Sequence, residues 1–275
     1  MGPPTNPSVS PPIDRSTVAR LMAPLTELVA SAGAAILKVD RRGMRVEGKS
    51  DGSPVTEADL ASDRIIADGL KRLAPDIPAL SEERLTCAIG HCPGLFFLID
   101  PLDGTKEFVA GRDEFTVNLA LVENGKPLLG IVGAPALGLI WRGLVGAGAE
   151  RLATGQGRAQ PIRTRPFPKA GQPWIAAVSR SHGDAATEAF IDARAGAIRQ
   201  TLGSAVKFAR VAEGAVDIYP RLAPTSEWDV AAGHALVTAA GGRVTDKAGG
   251  EVRFGGGNKD FIVPGFIAWG DPTVA

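Results

Sequence analysis

Net charge is the first thing this 275-residue chain lacks: 30 Lys and Arg residues are matched by 30 Asp and Glu residues. A general nucleic-acid binder carries a basic excess to neutralise phosphates, so the balance argues against that class. Long apolar runs are lacking too. No stretch reads as the ~20 consecutive apolar residues of a bilayer-spanning helix, so no transmembrane segment is expected. Cysteine is scarce, with Cys87 and Cys92 alone, and His91 beside the second. These three make half a zinc site, but no second Cys/His pair completes a tetrahedral set. Two reduced thiols in a connecting loop is the reading adopted, which implies a reducing compartment. The segment Gly2 to Pro12 has neither the basic nor the apolar region of a secretory signal and reads as a disordered Pro-rich tail. A cytoplasmic location is expected, with peripheral contact at the inner face of the cell membrane left open.

What is present is a globular balance, 44% hydrophobic and 22% charged, enough for one large domain or two modest ones sharing a core. Apolar spacing predicts a helix over about Leu21–Val39, with Pro24 tolerable only near its start. A short strand is expected over Met44–Lys49, then a polar turn at Ser50–Pro54. Thr56-Glu57-Ala58-Asp59 reads as a helix start, with Leu60, Ile65, Ile66, Leu70 and Leu73 as its apolar face. Ile77–Leu80 and the continuous run Leu95–Ile99 read as strands, the latter buried. Phe115–Val122, Leu128–Val132 and Gly138–Trp141 form an antiparallel meander. Later, Trp174–Val178 reads as strand, and Ala185–Ala195, Ser204–Glu213 and Asp229–Ala240 read as helices. With the stretch Pro166–Pro173 as the boundary, residues 1–15 form the tail, 16–168 an α+β lobe and 169–275 a smaller α/β lobe.

The acids cluster. Asp100 and Asp103 flank a Pro-Leu turn that leaves the run Leu95–Ile99. Carboxylates at strand ends sit where ligand crevices form. Two acids around a tight turn can aim at one point, and their repulsion calls for a cation. Oxygen ligands with no nearby His or Cys favour magnesium. Gly104-Thr105 follows, where a glycine lets backbone N–H groups approach a phosphate. An ordinary Asp-Gly turn is the plainer alternative. Two further acidic sites weigh against it: Ser81-Glu82-Glu83 and Asp229. Hydrolysis of a phosphate monoester requires up to ~10²¹-fold acceleration. General acid–base help supplies only ~10²–10⁴. A metal pair ~3.5–4 Å apart can carry the remainder and needs about four carboxylates. Glu82, Asp100, Asp103 and Asp229 would supply them.

Ser81-Glu82-Glu83, Ile99-Asp100-Pro101-Leu102-Asp103-Gly104-Thr105 and Trp228-Asp229-Val230-Ala231-Ala232-Gly233 together resemble the inositol monophosphatase superfamily. Within it, Lys106-Glu107-Phe108 resembles the CysQ-type 3'(2'),5'-bisphosphate nucleotidases; inositol phosphatases usually carry Thr-Asn-Phe there. Ser179-Arg180-Ser181-His182, Gly203–Phe208 and Tyr219-Pro220-Arg221 are similar to the same branch. The resemblance runs from about Leu21 to the C-terminus. It implies a layered α/β/α/β/α sandwich and a phosphatase using two or three Mg²⁺ ions. The implied reaction releases the 3'-phosphate of adenosine 3',5'-bisphosphate to give AMP, extends to 3'-phosphoadenylyl sulfate, and serves sulfur assimilation. A monomer or homodimer acting on a small nucleotide is expected. The rival enzymes are inositol monophosphatase and fructose-1,6-bisphosphatase. A non-catalytic RNA- or transcription-associated protein is the rival from another class.

The resemblance also implies roles. Glu82, Asp100 and the Leu102 carbonyl would hold the first Mg²⁺, and Asp100, Asp103 and Asp229 the second. Thr105, oriented by Asp59, would activate water, and the Gly104 and Thr105 amides would hold the scissile phosphate. Glu82, Leu102, Asp103 and Asp229 would border the substrate as well. His182, Ser204, Lys207 and Arg221 match positions that contact the nucleotide. From the residues alone, Asp59 serves equally to close a capping box with Thr56. His182 reads as a structural histidine and Lys207 as a solvated charge, although Gly203-Ser204 at a helix start would offer free N–H groups to an anion.

Overall fold

The computed structural model describes residues 12–41, 46–48, 54–84, 92–155, 157–181, 183–255 and 261–274. The expected tail up to residue 11, the turn at 50–53, Cys87 with His91, and His182 lie outside the described residues.

Helix α1 (Arg15–Lys38) begins six residues earlier than its apolar spacing indicates, because Asp14 caps it by accepting from the Ser16 and Thr17 amides. Pro24 therefore falls inside the helix rather than near its start. The carbonyl it leaves without a donor, at Arg20, belongs to an exposed residue where water can take the proton's place. By length and composition α1 could cross a bilayer, contrary to the reading of the sequence. Its face of Val18, Leu25, Leu28, Val29, Ala32 and Ile36 is instead buried against a sheet. Strands β1 (Val46–Gly48) and β2 (Pro54–Thr56) form a small hairpin leading into α2 (Glu57–Leu73). Ile66 and Leu70 of α2 are buried, but Leu60 is 50% exposed, since it lies off the face they share.

The larger sheet contains β3 (Ala79–Ser81), β4 (Leu95–Asp103), β5 (Thr116–Glu123), β6 (Lys126–Ala134), β7 (Leu139–Leu144), β8 (Gly148–Ala153) and β9 (Gln160–Ile162), in that order across it. Only the β3–β4 pair is parallel. The expected meander is β5 to β7; β8 and β9, whose patterning is weakly apolar, extend it. Alternation along β4 separates two cores. Phe97 and Ile99 meet α1 and α2, while Phe96 and Leu98 face the other way.

On that other side lie α5 (Val206–Ala212) and α6 (Glu227–Ala239), preceded in the chain by the short α3 (Thr105–Val109) and by α4 (Ala185–Asp192). The second sheet consists of β10 (Ile175–Ser179), β11 (Ile198–Leu202), β12 (Ile218–Arg221), β14 (Arg243–Thr245) and β16 (Phe266–Trp269), ordered β11-β10-β12-β16-β14. A separate antiparallel pair joins β13 (Thr225–Ser226), which leads into α6, to β15 (Ile262–Val263). One apolar cluster joins Phe96 and Trp141 of the first sheet, Phe208, Val230 and Leu236 of the helices, and Tyr219 and Phe266 of the second sheet. Ile191 of α4 packs on the outer face with Ile218 and Trp269. The layers are thus α1/α2, sheet, α5/α6, sheet, α4, the sandwich implied by the resemblance. Helix α5 starts two residues later than expected because Ser204 has a positive φ of 50°, outside the helical region.

Helix α6 lies close to the sheet because β6 offers no side chain at Gly130. A Cβ there would stand 2.1 Å from the Ala232 carbonyl oxygen, a backbone atom that cannot yield. Gly130→Ala should therefore destabilise the protein by about 1–3 kcal/mol, the usual range for overpacking. A urea midpoint unchanged from wild type would show that the helix can lift without cost.

Candidate active site

In a regular strand, residues three apart point to opposite faces. Asp100 pairs with Asn118 and Asp103 with Thr116, so two residues of β4 stand where β5 has one. This β-bulge inverts the alternation. Leu102 consequently joins Phe97 and Ile99 in the core beneath α1 and α2. Asp103 comes to the same face as Asp100, the face that looks toward α6. Pro101 sits in the bulge, where it has no N–H to lose from the ladder, and its carbonyl accepts from Ser62 Oγ of α2 at 2.7 Å.

Gly104 follows with φ 89°, the left-handed conformation that turns the chain into α3. A Cβ at this position would meet Ser204 Oγ at 2.2 Å. Thr105 Oγ1 then lies 3.0 Å from Asp59 Oδ1 and 3.2 Å from the Leu102 carbonyl. The other oxygen of Asp59 accepts from the Thr56 amide at 2.8 Å and its hydroxyl at 2.6 Å, closing a capping box. The two readings of Asp59 are therefore compatible, one on each oxygen. Burial raises its pKa, against the hydrogen bonds from Thr56 and Thr105.

Glu82 reaches the same place along the neighbouring strand. Its amide donates to Ile99 at 3.1 Å, continuing the parallel β3–β4 register, so Glu82 and Asp100 stand side by side at the carboxyl ends. Ser81 and Arg84 close the turn through mutual backbone bonds of 3.1 and 2.9 Å. Buried Asp63 of α2 braces it, accepting from Ser81 Oγ at 2.7 Å and pairing with Arg84 Nε at 2.8 Å.

Asp229, in the first turn of α6, completes the group; Thr225 Oγ1 donates to its Oδ2. Ligand oxygens of Asp100, Asp103 and Asp229 all lie within 4.8 Å of one another. Burial, then Glu82, Asp103, Asp229 and Asp59, pushes the Asp100 carboxyl well above the usual range. Asp103 is pushed up to about 7, chiefly by burial and then by Asp229, while Lys207, Asn118 and Arg221 pull the other way. Crowded acids of this kind attract a cation. The set is made of oxygens alone and stands in the open wall of a cleft of about 570 Å³, which fits magnesium.

The same cleft is lined by Lys207, Tyr219 and Arg221. Lys207 is not a solvated charge: it is 3% exposed, donates to the Ser204 carbonyl at 2.7 Å and lies over the Tyr219 ring. Burial lowers its pKa to about 8, against the attraction of Asp103, Glu107 and Asp229. The expectation of a free N–H at Gly203 is also overturned, because that group donates to Glu114 Oε2 at 2.9 Å. Ser204 Oγ is engaged as well, lying 2.9 Å from the Asp103 carbonyl and 3.0 Å from that of Glu114.

Residues 18–270 match the inositol monophosphatase family. The chain belongs to this family. It is 40% identical to the 3'(2'),5'-bisphosphate nucleotidase CysQ of Shigella flexneri over 250 residues, 87% of this chain and 96% of the relative. Among solved structures, CysQ from Bacteroides thetaiotaomicron, described as a bacterial member of the inositol monophosphatase family, superposes with a TM-score of 0.74 at 32% identity. The match covers 92% of this chain and 97% of that one. The Thermotoga maritima IMPase gives 0.70 at 29%, covering 92% of each chain.

Several residues of this inositol monophosphatase-family site were not singled out from the sequence. Asn118, whose amide lies 3.4 Å from Asp103 Oδ2, is the polar exception in the apolar run Val117–Val122 and could have been noticed for that. Thr225 and Asp63 carry no such local signal.

A carboxyl whose folded pKa lies above its unfolded value favours folding while protonated, and that advantage is lost as pH rises through the folded value. For Asp103 the window runs from 3.8 to about 7. In EDTA, Asp103→Asn should match wild type in melting temperature near the lower end and exceed it above the upper end. Magnesium should then stabilise wild type more than the variant. A variant less stable than wild type at high pH without metal would contradict this electrostatic account.

Proposed function

We propose that this family member is a Mg²⁺-dependent 3'(2'),5'-bisphosphate nucleotidase that cleaves adenosine 3',5'-bisphosphate to AMP and phosphate. The observation that carries the reading is the convergence of Asp100, Asp103 and Asp229 within 4.8 Å, in a cleft also lined by two cations, Lys207 and Arg221. The acids, with their metal, suit the phosphate to be cleaved, and the cations suit a second anionic group that is not. The name borne by the 40%-identical relative supports the same substrate.

Glu82, Asp100 and the Leu102 carbonyl would hold one magnesium ion, and Asp100, Asp103 and Asp229 another. Magnesium, when bound, supplies Lewis-acid polarisation of the phosphoryl oxygens and a more acidic water. Thr105 Oγ1 donates a hydrogen bond to Asp59 and keeps lone pairs to accept one from the attacking water, which must lose a proton as it attacks. The raised pKa of Asp59 suits it to take up that proton through Thr105. Gly104, with no side chain at the turn, leaves the start of α3 open to the scissile phosphate. Water attacks phosphorus as one of its protons passes to Asp59, the bond to the ribose 3'-oxygen breaks, and that oxygen takes a proton from solvent to leave as a hydroxyl. Arg221 and Lys207 would face the 5'-phosphate, or the sulfated end of 3'-phosphoadenylyl sulfate. Such an enzyme would serve sulfur assimilation in the cytoplasm.

Phosphate release from adenosine 3',5'-bisphosphate, inositol 1-phosphate and fructose 1,6-bisphosphate tests the substrate. The nucleotide should give the highest kcat/KM, and preference for either of the others would reassign the enzyme within its family. The dyad has its own test. Thr105→Ala, Asp59→Asn and the double variant should each lose a similar factor, of order 10²–10⁴, because residues acting as a unit are non-additive. Losses that multiply in the double variant would separate Asp59 from the chemistry.

A further inference from the structure

Glu107 has no part in the reaction as proposed, although it belongs to the stretch by which the chain resembles the nucleotidases. Its side chain is 5% exposed, at the start of α3. Oε1 accepts from Ser181 Oγ at 2.5 Å. Oε2 lies 3.4 Å from where a Cβ on Gly104 would stand, and Cγ lies 3.4 Å from where one on Gly203 would stand. One side chain thus touches three segments: the turn after Asp103, the chain leaving β10, and the turn entering α5. Glu114 fastens the last two from another direction. Its carboxylate pairs with Arg180 at 2.7 Å and accepts from the Gly203 amide, and its carbonyl accepts from Ser204 Oγ.

We propose that Glu107 is a positioning residue for specificity: through Ser181 it sets the part of the cleft wall that bears the non-reacting portion of the ester. Ser179, two residues before Ser181, lines the cleft, as does Glu107 itself. A buried carboxylate is costly unless a donor meets it, and the Ser181 hydroxyl does so. The contact depends on reach. Aspartate, shorter by one carbon–carbon bond of about 1.5 Å, cannot span it without moving a segment, whereas glutamine keeps both the length and an acceptor oxygen. Because the ties made by Glu114 are independent, loss of Glu107 releases the aim of this wall rather than the wall itself. The identity of the substrate rests on the nucleotidase reading; the clamp does not.

The experiment measures KM and kcat for wild type, Glu107→Ala, Glu107→Asp, Glu107→Gln, Ser181→Ala and the Glu107→Ala/Ser181→Ala pair. Substrates are adenosine 3',5'-bisphosphate and 4-nitrophenyl phosphate, which has no nucleotide to rest on the wall. Losing one charge-assisted bond should raise KM for the nucleotide about tenfold in the Ala and Asp variants, with kcat within about twofold. The double variant should be no worse than either single one, Glu107→Gln should restore KM, and 4-nitrophenyl phosphate should be unaffected. Equal KM increases on both substrates, multiplying losses, or a Gln variant as poor as Ala would each overturn the proposal. Ser181→Ala, at an exposed position, carries the same test should Glu107→Ala not fold. Wild-type turnover of the nucleotide reports separately on the functional reading. If it is lacking, that reading fails, and the variants are compared on whichever inositol or sugar phosphate the enzyme does hydrolyse.

Discussion

Like charges brought together in a low-dielectric crevice repel one another, and this fold keeps three aspartates and a glutamate there. Burial first, and then their proximity, raises the proton affinity of Asp100 and Asp103 well beyond that of a free carboxyl. Nothing local to β4 would hold such a group. It is held because the acids are shared among three rigid bodies: the end of β3 for Glu82, the end of β4 for Asp100 and Asp103, and α6 for Asp229. Those bodies in turn are fastened by the apolar cluster that runs from one sheet through α5 and α6 to the other. The buried ammonium of Lys207, with a smaller contribution from Arg221, offsets part of the repulsion on Asp103, and the acids in turn favour the charged lysine.

Much of this was legible in the sequence, where the signal is short-range. The run Leu95–Ile99, the acids after it, the Thr56 helix start and the meander follow from spacing and side-chain chemistry over a few residues. The layered sandwich was legible only through resemblance, because strand order across a sheet leaves no mark in local periodicity. The bulge that unites Asp100 with Asp103 was invisible for the same reason: it is a mismatch between two strands, and only the pairing with Asn118 and Thr116 reveals it.

Errors of reading arose where long-range contacts override local chemistry. Lys207 looked like a surface charge because a lysine on a helix is usually solvated, yet Tyr219 of the second sheet lies against it. The Gly203 amide looked free because the acid that takes it, Glu114, is distant in sequence. Asp59 shows the opposite case, in which two local readings were both available and neither had to yield. One carboxylate oxygen caps α2 and the other meets Thr105, so the helix cap fixes the orientation of a group facing the cleft.

The inserted residue in β4 also bears on how this protein can change. A strand behaves like a text read two letters at a time, and the extra letter between Asp100 and Asp103 resets the frame. Substituting Leu102 alters only what is packed under α1 and α2. Deleting it would straighten the strand, leaving Asp103 two residues from Asp100 on the same face but removing both the side chain packed under α1 and α2 and the carbonyl that meets Thr105 Oγ1. The segment is therefore more tolerant of new side chains than of a new length, and relatives that diverge here should do so by replacement rather than by insertion or loss.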